Sequence, residues 1–191
     1  MTEETEANKA VVARHYAILS GGDPAEWDEI MAEDFVSHHP HASGEGRDRY
    51  RNAASAYSTV FSDFVPEVER MLAEDDCVAA HFIVRGRHTG DFLGFPATGR
   101  EFSFSGIAIY RLAHGQLAEA WYGEDTLGWF QQLGLLPTDV SAFRRVWEKL
   151  PSTDGNPEPS DAMRSLGAPT PANQSRAPYL LGARRVDLLA A

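Results

Sequence analysis

The chemistry this chain can offer rests on its histidines, a few well-placed carboxylates and many aromatic rings. There are seven histidines and one cysteine. Three histidines crowd into Ser37-His38-His39-Pro40-His41. Imidazole is a common metal ligand, but this spacing matches no established metal site and no partnered carboxylate is evident. The expectation is therefore no metal. His39 and His41 read as surface groups of a polar loop. His38 is the candidate, because it follows the apolar pair Phe35-Val36 at the end of an element. His88 closes a predicted strand and shares parity with Phe82 and Val84. It is either satisfied by a backbone group or an acid–base group tuned by burial. Asp125 follows a predicted strand and opens a helix. One reading makes it an N-cap. The other aligns it by strand alternation with Trp121 and Gly123, as a proton-moving carboxylate at the mouth of an aromatic pocket.

These groups need elements to position them. In ANKAVVARHYAILSGGD, Val12, Tyr16 and Leu19 fall on one helical face, and Gly21-Gly22 stops the helix. Asp23-Pro24 reads as an N-cap with proline at the first position of a short helix over 24–33, burying Trp27, Ile30 and Met31. SHHPHASGEGR is a loop by its Pro and Gly content. A third helix spans 47–61. Strands follow at 64–72, 77–88, 101–112 and 116–124, antiparallel by their turn signals. Even positions of the second strand, and Phe102, Phe104, Gly106, Ala108 and Tyr110 of the third, each share a face. Two helical segments, 125–134 and 138–149, close the body. Segregated helices and strands mean an α+β fold. Periodicity turns Tyr16, Tyr57, Phe61, Phe82, Phe104, Tyr110 and Trp121 inward. With Phe35, they are the candidate lining for a flat, apolar ligand.

Composition sets the limits. With 17 Lys+Arg against 28 Asp+Glu the net charge is −11, which argues against nucleic-acid or anionic-membrane partners. A single cysteine, Cys77, rules out a disulfide framework within the chain. The acidic start MTEETEANKA has no apolar core of a signal peptide, and no run approaches the ~18 apolar residues of a membrane span. The expectation is a soluble, cytoplasmic domain over 1–150. Residues 151–191 hold six of the eleven prolines and one of the twenty aromatics, Tyr179, and their charges cancel. They read as a proline-rich C-terminal arm ending in the apolar YLLGARRVDLLAA. No phosphate-cradling glycine motif, no GxSxG and no HExxH is present. An enzyme built this way uses no cofactor and draws on its own side chains for acid–base chemistry.

The segments DFVSHHP, RGRHTGDFLGFPATGREFSFSGIAIYRLAHGQLAEAW and DTLGWFQQLGLLP resemble the SnoaL-like polyketide cyclases of the nuclear-transport-factor-2-like superfamily. The resemblance covers roughly residues 8–137 and rests on HTG, PATGR, the W-x-x-x-D step and LG-x-x-QQLG. It implies a cone-shaped curved antiparallel sheet wrapped around helices, with a deep pocket, and a homodimer joined through the outer face of the sheet. It also implies intramolecular aldol closure of a polyketide-type substrate, without metal or cofactor. Asp125 matches the family's acid–base aspartate, His88 its HTG histidine, and His38 the histidine after F-V-x. Ala108 stands where some relatives carry a histidine, and Tyr110 shares its facing. Two other readings remain open: epoxide opening on the same scaffold, and a non-catalytic small-molecule-binding module.

Overall fold

The computed structural model describes residues 2–40, 43–139 and 141. It divides into two compact units, Met1–Thr138 and Asp139–Ala191. The expected helix at 138–149 and the proline-rich arm lie, apart from residues 138, 139 and 141, outside the described residues.

The first helix, α1 (Glu3–Leu19), opens with a capping box in which Thr2 and Thr5 satisfy each other's backbone. Val12, His15, Tyr16 and Ile18 are buried along it. Asp23 caps a turn of 3-10 helix (Pro24–Glu26) by accepting from the Ala25 N–H at 2.9 Å. The short helix α2 (Trp27–Ile30) follows and ends earlier than the sequence suggested. Met31 instead starts a strand, β1 (Met31–His38), where the sequence reading had only a lead into a loop. After β2 (Gly44–Glu45) comes α3 (Arg47–Val60). Then follow the long strands β3 (Phe61–Glu74), β4 (Cys77–His88), β5 (Glu101–Ala113) and β6 (Gln116–Glu124). The last described helix is α4 (Thr126–Leu133). Gly134 ends it at φ 78°, the left-handed conformation that glycine adopts without a Cβ penalty.

The six strands form one curved sheet in the order β2-β1-β6-β5-β4-β3. All neighbours are antiparallel except β1 and β6, which run parallel. His114 and Gly115 join β5 to β6 with φ of 53° and 76°, the mirror-image turn that suits strand twist. Val78, Ala80, Phe82, Val84 and His88 of β4 are buried, as are Phe102, Phe104, Ala108 and Tyr110 of β5. This inner face meets α1, α3 and α4. The result is the α+β architecture expected from the sequence, with one parallel pair added at β1–β6. No helix among the described residues is long and apolar enough to cross a membrane.

Candidate active site

Between the inner sheet face and helices α1 and α3 lies a cavity of about 500 Å³. Helix α1 contributes His15 and Tyr16, α3 contributes Tyr50 and Tyr57, and β4 and β5 supply Phe82, Phe104 and Tyr110. Strand β6 adds Tyr122 and Glu124. His39, just past β1, and Trp129 of α4 also line it. No Lys or Arg does.

One end of this cavity is polar. His39 Nε2 lies 3.3 Å from Glu124 Oε1. The Glu124 side chain is only 6% exposed, and its second oxygen, Oε2, is buried with no hydrogen-bond partner. A buried polar atom left unpaired in this way is rare and costly, and points to a ligand contact. Around it stand phenols. Tyr50 Oη is 3.3 Å from Tyr122 Oη and 3.3 Å from His15 Nε2. Tyr110 Oη donates to Tyr16 Oη at 3.0 Å. Burial raises the pKa of Tyr16, Tyr50, Tyr57 and Tyr122, and the Glu124 charge raises all four further. Each therefore keeps its proton and remains a hydrogen-bond donor. His15 is fully buried, and burial pushes its pKa down to about 3, so its ring is neutral.

Of the residues singled out from the sequence, Tyr16, Tyr57, Phe61, Phe82, Phe104 and Tyr110 line the cavity. Phe35 is fully buried but packs edge-on against Tyr50 behind the wall. The three proposed catalytic residues do not meet. Asp125 is exposed, and its Oδ1 accepts from the Gly128 N–H at 2.9 Å as the N-cap of α4. His38 is on the opposite face of the sheet, where it stacks on Trp121 at 10° between planes and places Nε2 2.9 Å from Glu119 Oε1. Trp121 itself is 39% exposed there, so its expected place in the lining is corrected. His88 is buried among Phe61 and Phe92, and its Nδ1 accepts from the Thr98 N–H at 3.3 Å. Only half of the satisfied-histidine reading holds: Nδ1 is paired, while Nε2 is buried without a hydrogen-bond partner, and the residue stands outside the cavity wall.

The groups that do converge, Glu124 and His39, are sequence neighbours of two of those expected. The parity was right, and the assignment of faces was reversed. Ala120, Tyr122 and Glu124 turn inward, while Trp121, Gly123 and Asp125 turn outward. A register shift between Arg111 and Leu112 leaves Ala118 as an extra residue on β6, which switches the parity partway along the strand. Likewise Phe35, Ser37 and His39 point inward and His38 outward. The signal available in the sequence was the alternation through Tyr122 and Glu124; taking the larger ring, Trp121, as the buried one obscured it.

The similarities to known proteins agree with this architecture. A sequence profile of the SnoaL-like polyketide cyclases matches residues 9–133. The aklanonic acid methyl ester cyclase DnrD of Streptomyces peucetius is 40% identical over 57 residues, which are 30% of this chain and 39% of DnrD. The match thus spans well under half of that relative's length. Among solved structures, TsrD of Streptomyces laurentii aligns with a TM-score of 0.64 and 26% identity, covering 71% of this chain and 99% of TsrD. IdmH of Streptomyces antibioticus aligns with a TM-score of 0.61 and 26% identity, covering 66% of this chain and 98% of IdmH. With its profile match extending over well more than half of its length, the chain belongs to the SnoaL-like polyketide cyclase family.

Proposed function

We propose that this protein closes a ring in a polyketide-type substrate by intramolecular aldol chemistry, with Glu124 as the group that moves the proton. The observation that carries this reading is the buried, unpartnered Oε2 of Glu124 in an aromatic cavity. Oε2 takes a proton from a carbon activated by neighbouring carbonyls. The resulting enolate carbon attacks a second carbonyl of the same molecule, forming the C–C bond. The protonated Glu124 then returns its proton to the new alkoxide. General acid–base catalysis of this kind supplies roughly 10²–10⁴-fold. His39 holds Oε1 and so aims Oε2 at the substrate. The phenols donate to whichever oxygen carries the developing charge. A cavity lined by two carboxylates, Asp63 and Glu124, and by no Lys or Arg among the described residues favours a substrate whose own carboxyl is masked. The working unit in this reading is a homodimer joined through the outer sheet face.

The test uses aklanonic acid methyl ester, the compound in the DnrD name, beside its free acid. Glu124→Gln is expected to lose about 10²–10⁴-fold in turnover. Asp125→Asn is expected to stay within a few-fold of the parent, and the free acid to react far more slowly. Loss in Asp125→Asn with activity kept in Glu124→Gln would return the proton transfer to the residue that the family resemblance implies. Preferential consumption of an epoxide analogue would support epoxide opening instead. Recovery of every probe unchanged would leave a binding module.

A further inference from the structure

His15 has no part in the proton transfer described above, yet it sits fully buried in the cavity wall. Its ring is held by Tyr16, Trp27, Tyr50 and Tyr110, with centroids 5.2–5.7 Å away. A histidine in so aromatic a setting could be replaced by an apolar ring unless its nitrogens mattered. Nε2 lies 3.3 Å from Tyr50 Oη, and Nδ1 is buried without a partner. The neutral ring carries one proton, and the hydrogen-bond network assigns its place. On Nδ1 it would leave an orphaned N–H, the rarer and costlier defect. On Nε2 it leaves only an idle lone pair and gives Tyr50 a donor.

That choice fixes the direction of a chain. With Nε2–H donating to Tyr50, the Tyr50 hydroxyl is free to donate onward to Tyr122 Oη, 3.3 Å away. The Tyr122 hydroxyl then has its own proton to offer. With the opposite tautomer Tyr50 donates back to His15 and Tyr122 donates to Tyr50, so the Tyr122 proton is spent within the chain. Tyr122 lines the same cavity as Glu124 and feels its charge. Building on the acid–base reading, we infer that His15 is a positioning residue whose Nε2–H orients the Tyr50 and Tyr122 hydroxyls, so that the Tyr122 O–H meets the substrate oxygen that becomes negative. Hydrogen bonds in such a chain polarise one another. Links of 3.3 Å, as here, tighten when an anion pulls at one end.

The test cuts the chain at two links. His15→Phe keeps an aromatic ring in the wall and removes the donor; Tyr50→Phe removes the next hydroxyl. Each is expected to lower kcat on aklanonic acid methyl ester about tenfold with little change in KM, since removing a direct oxyanion donor costs ~10²–10³-fold and this one acts at a distance. The double variant is expected to be no worse than either single one, because both break the same chain. His15→Gln, which restores an N–H, is expected to recover most of the loss. Additive losses, or a loss confined to KM, would overturn the inference. A second readout needs no turnover. In Glu124→Gln protein, the absorbance of bound 4-nitrophenol reports how strongly the cavity stabilises a phenolate oxygen. Adding His15→Phe is expected to raise the apparent pKa of the bound probe by about one unit, a tenfold loss of phenolate preference. An unchanged value would overturn the role of His15 while leaving the assignment of Glu124 to its own assay.

Discussion

At the residue scale, the consequential feature is how differently burial treats neighbouring groups of the same type. His38 and His39 adjoin in sequence, yet one is 44% and the other 14% exposed, because they face opposite sides of the sheet. Asp125 and Glu124 show the same division, one capping a helix and the other lining the cavity. Residue type alone made all four plausible; only the facing separates them. His15 carries this furthest, and with a consequence for stability. Its pKa falls from 6.5 to about 3 on folding, caused by burial. Between those values the unfolded chain binds a proton that the folded chain refuses. Stability therefore contributed above pH 6.5 is lost as the pH falls towards about 3. His15→Phe removes the group and is expected to flatten that loss. Urea unfolding at a series of pH values should show the parent losing stability more steeply than the variant as the pH drops below 6.5; parallel curves would contradict it.

At the element scale, the strands with clean alternation or a marked turn were the legible ones. β4 and β6 have the bounds read from the sequence, because Cys77–His88 alternates cleanly and AHGQ marks the turn before Gln116. β1 was missed because Met31–His38 does not alternate. Glu33 and Asp34 are exposed in succession, and its pairing with β6 breaks between Met31 and Val36. Its parallel partner is also distant in sequence, beyond the reach of local pattern. Cross-strand fit explains another detail. Gly106 on β5 lies directly opposite Phe82 on β4, and a Cβ at Gly106 would come 2.5 Å from the Phe82 ring. The ring lies over the glycine and so becomes part of the cavity wall. Gly86 opposite Phe102 repeats the device, with a Cβ 2.8 Å from that ring. Gly106→Ala must displace Phe82 into the cavity. Overpacking of this kind costs about 1–3 kcal/mol. We expect a lower Tm together with weaker retention of an aromatic ligand such as 4-nitrophenol; a stable variant with unchanged binding would mean that the ring has room to move.

At the scale of the whole molecule, the question is what the outer face of the sheet is for. Ile107 is 55%, Ile109 45% and Trp121 39% exposed. The register sets Ile109 opposite Trp121 and Ile107 opposite Gly123, so they form one patch. Contiguous exposed apolar surface on a folded protein marks a contact site. A chain of net charge −11 should repel its own copy, but the charges beside this patch are paired off. Glu119 Oε2 accepts from Arg111 Nη2 at 3.1 Å while its Oε1 faces His38, and His38 lies flat on Trp121. The local surface is thus apolar and internally neutralised on an otherwise acidic body, which suits the same patch of a second copy related by a two-fold axis. Sedimentation equilibrium is expected to give a dimer that tightens with added salt, because salt screens the long-range repulsion and leaves apolar burial intact. Ile109→Asp puts a carboxylate at the centre of the patch on a half-exposed position, where the fold itself tolerates it. That variant is expected to sediment as a monomer with an unchanged circular dichroism spectrum. A parent protein that is already monomeric at assay concentrations would remove the dimer from the functional reading, and a variant that stays dimeric would place the interface on another surface.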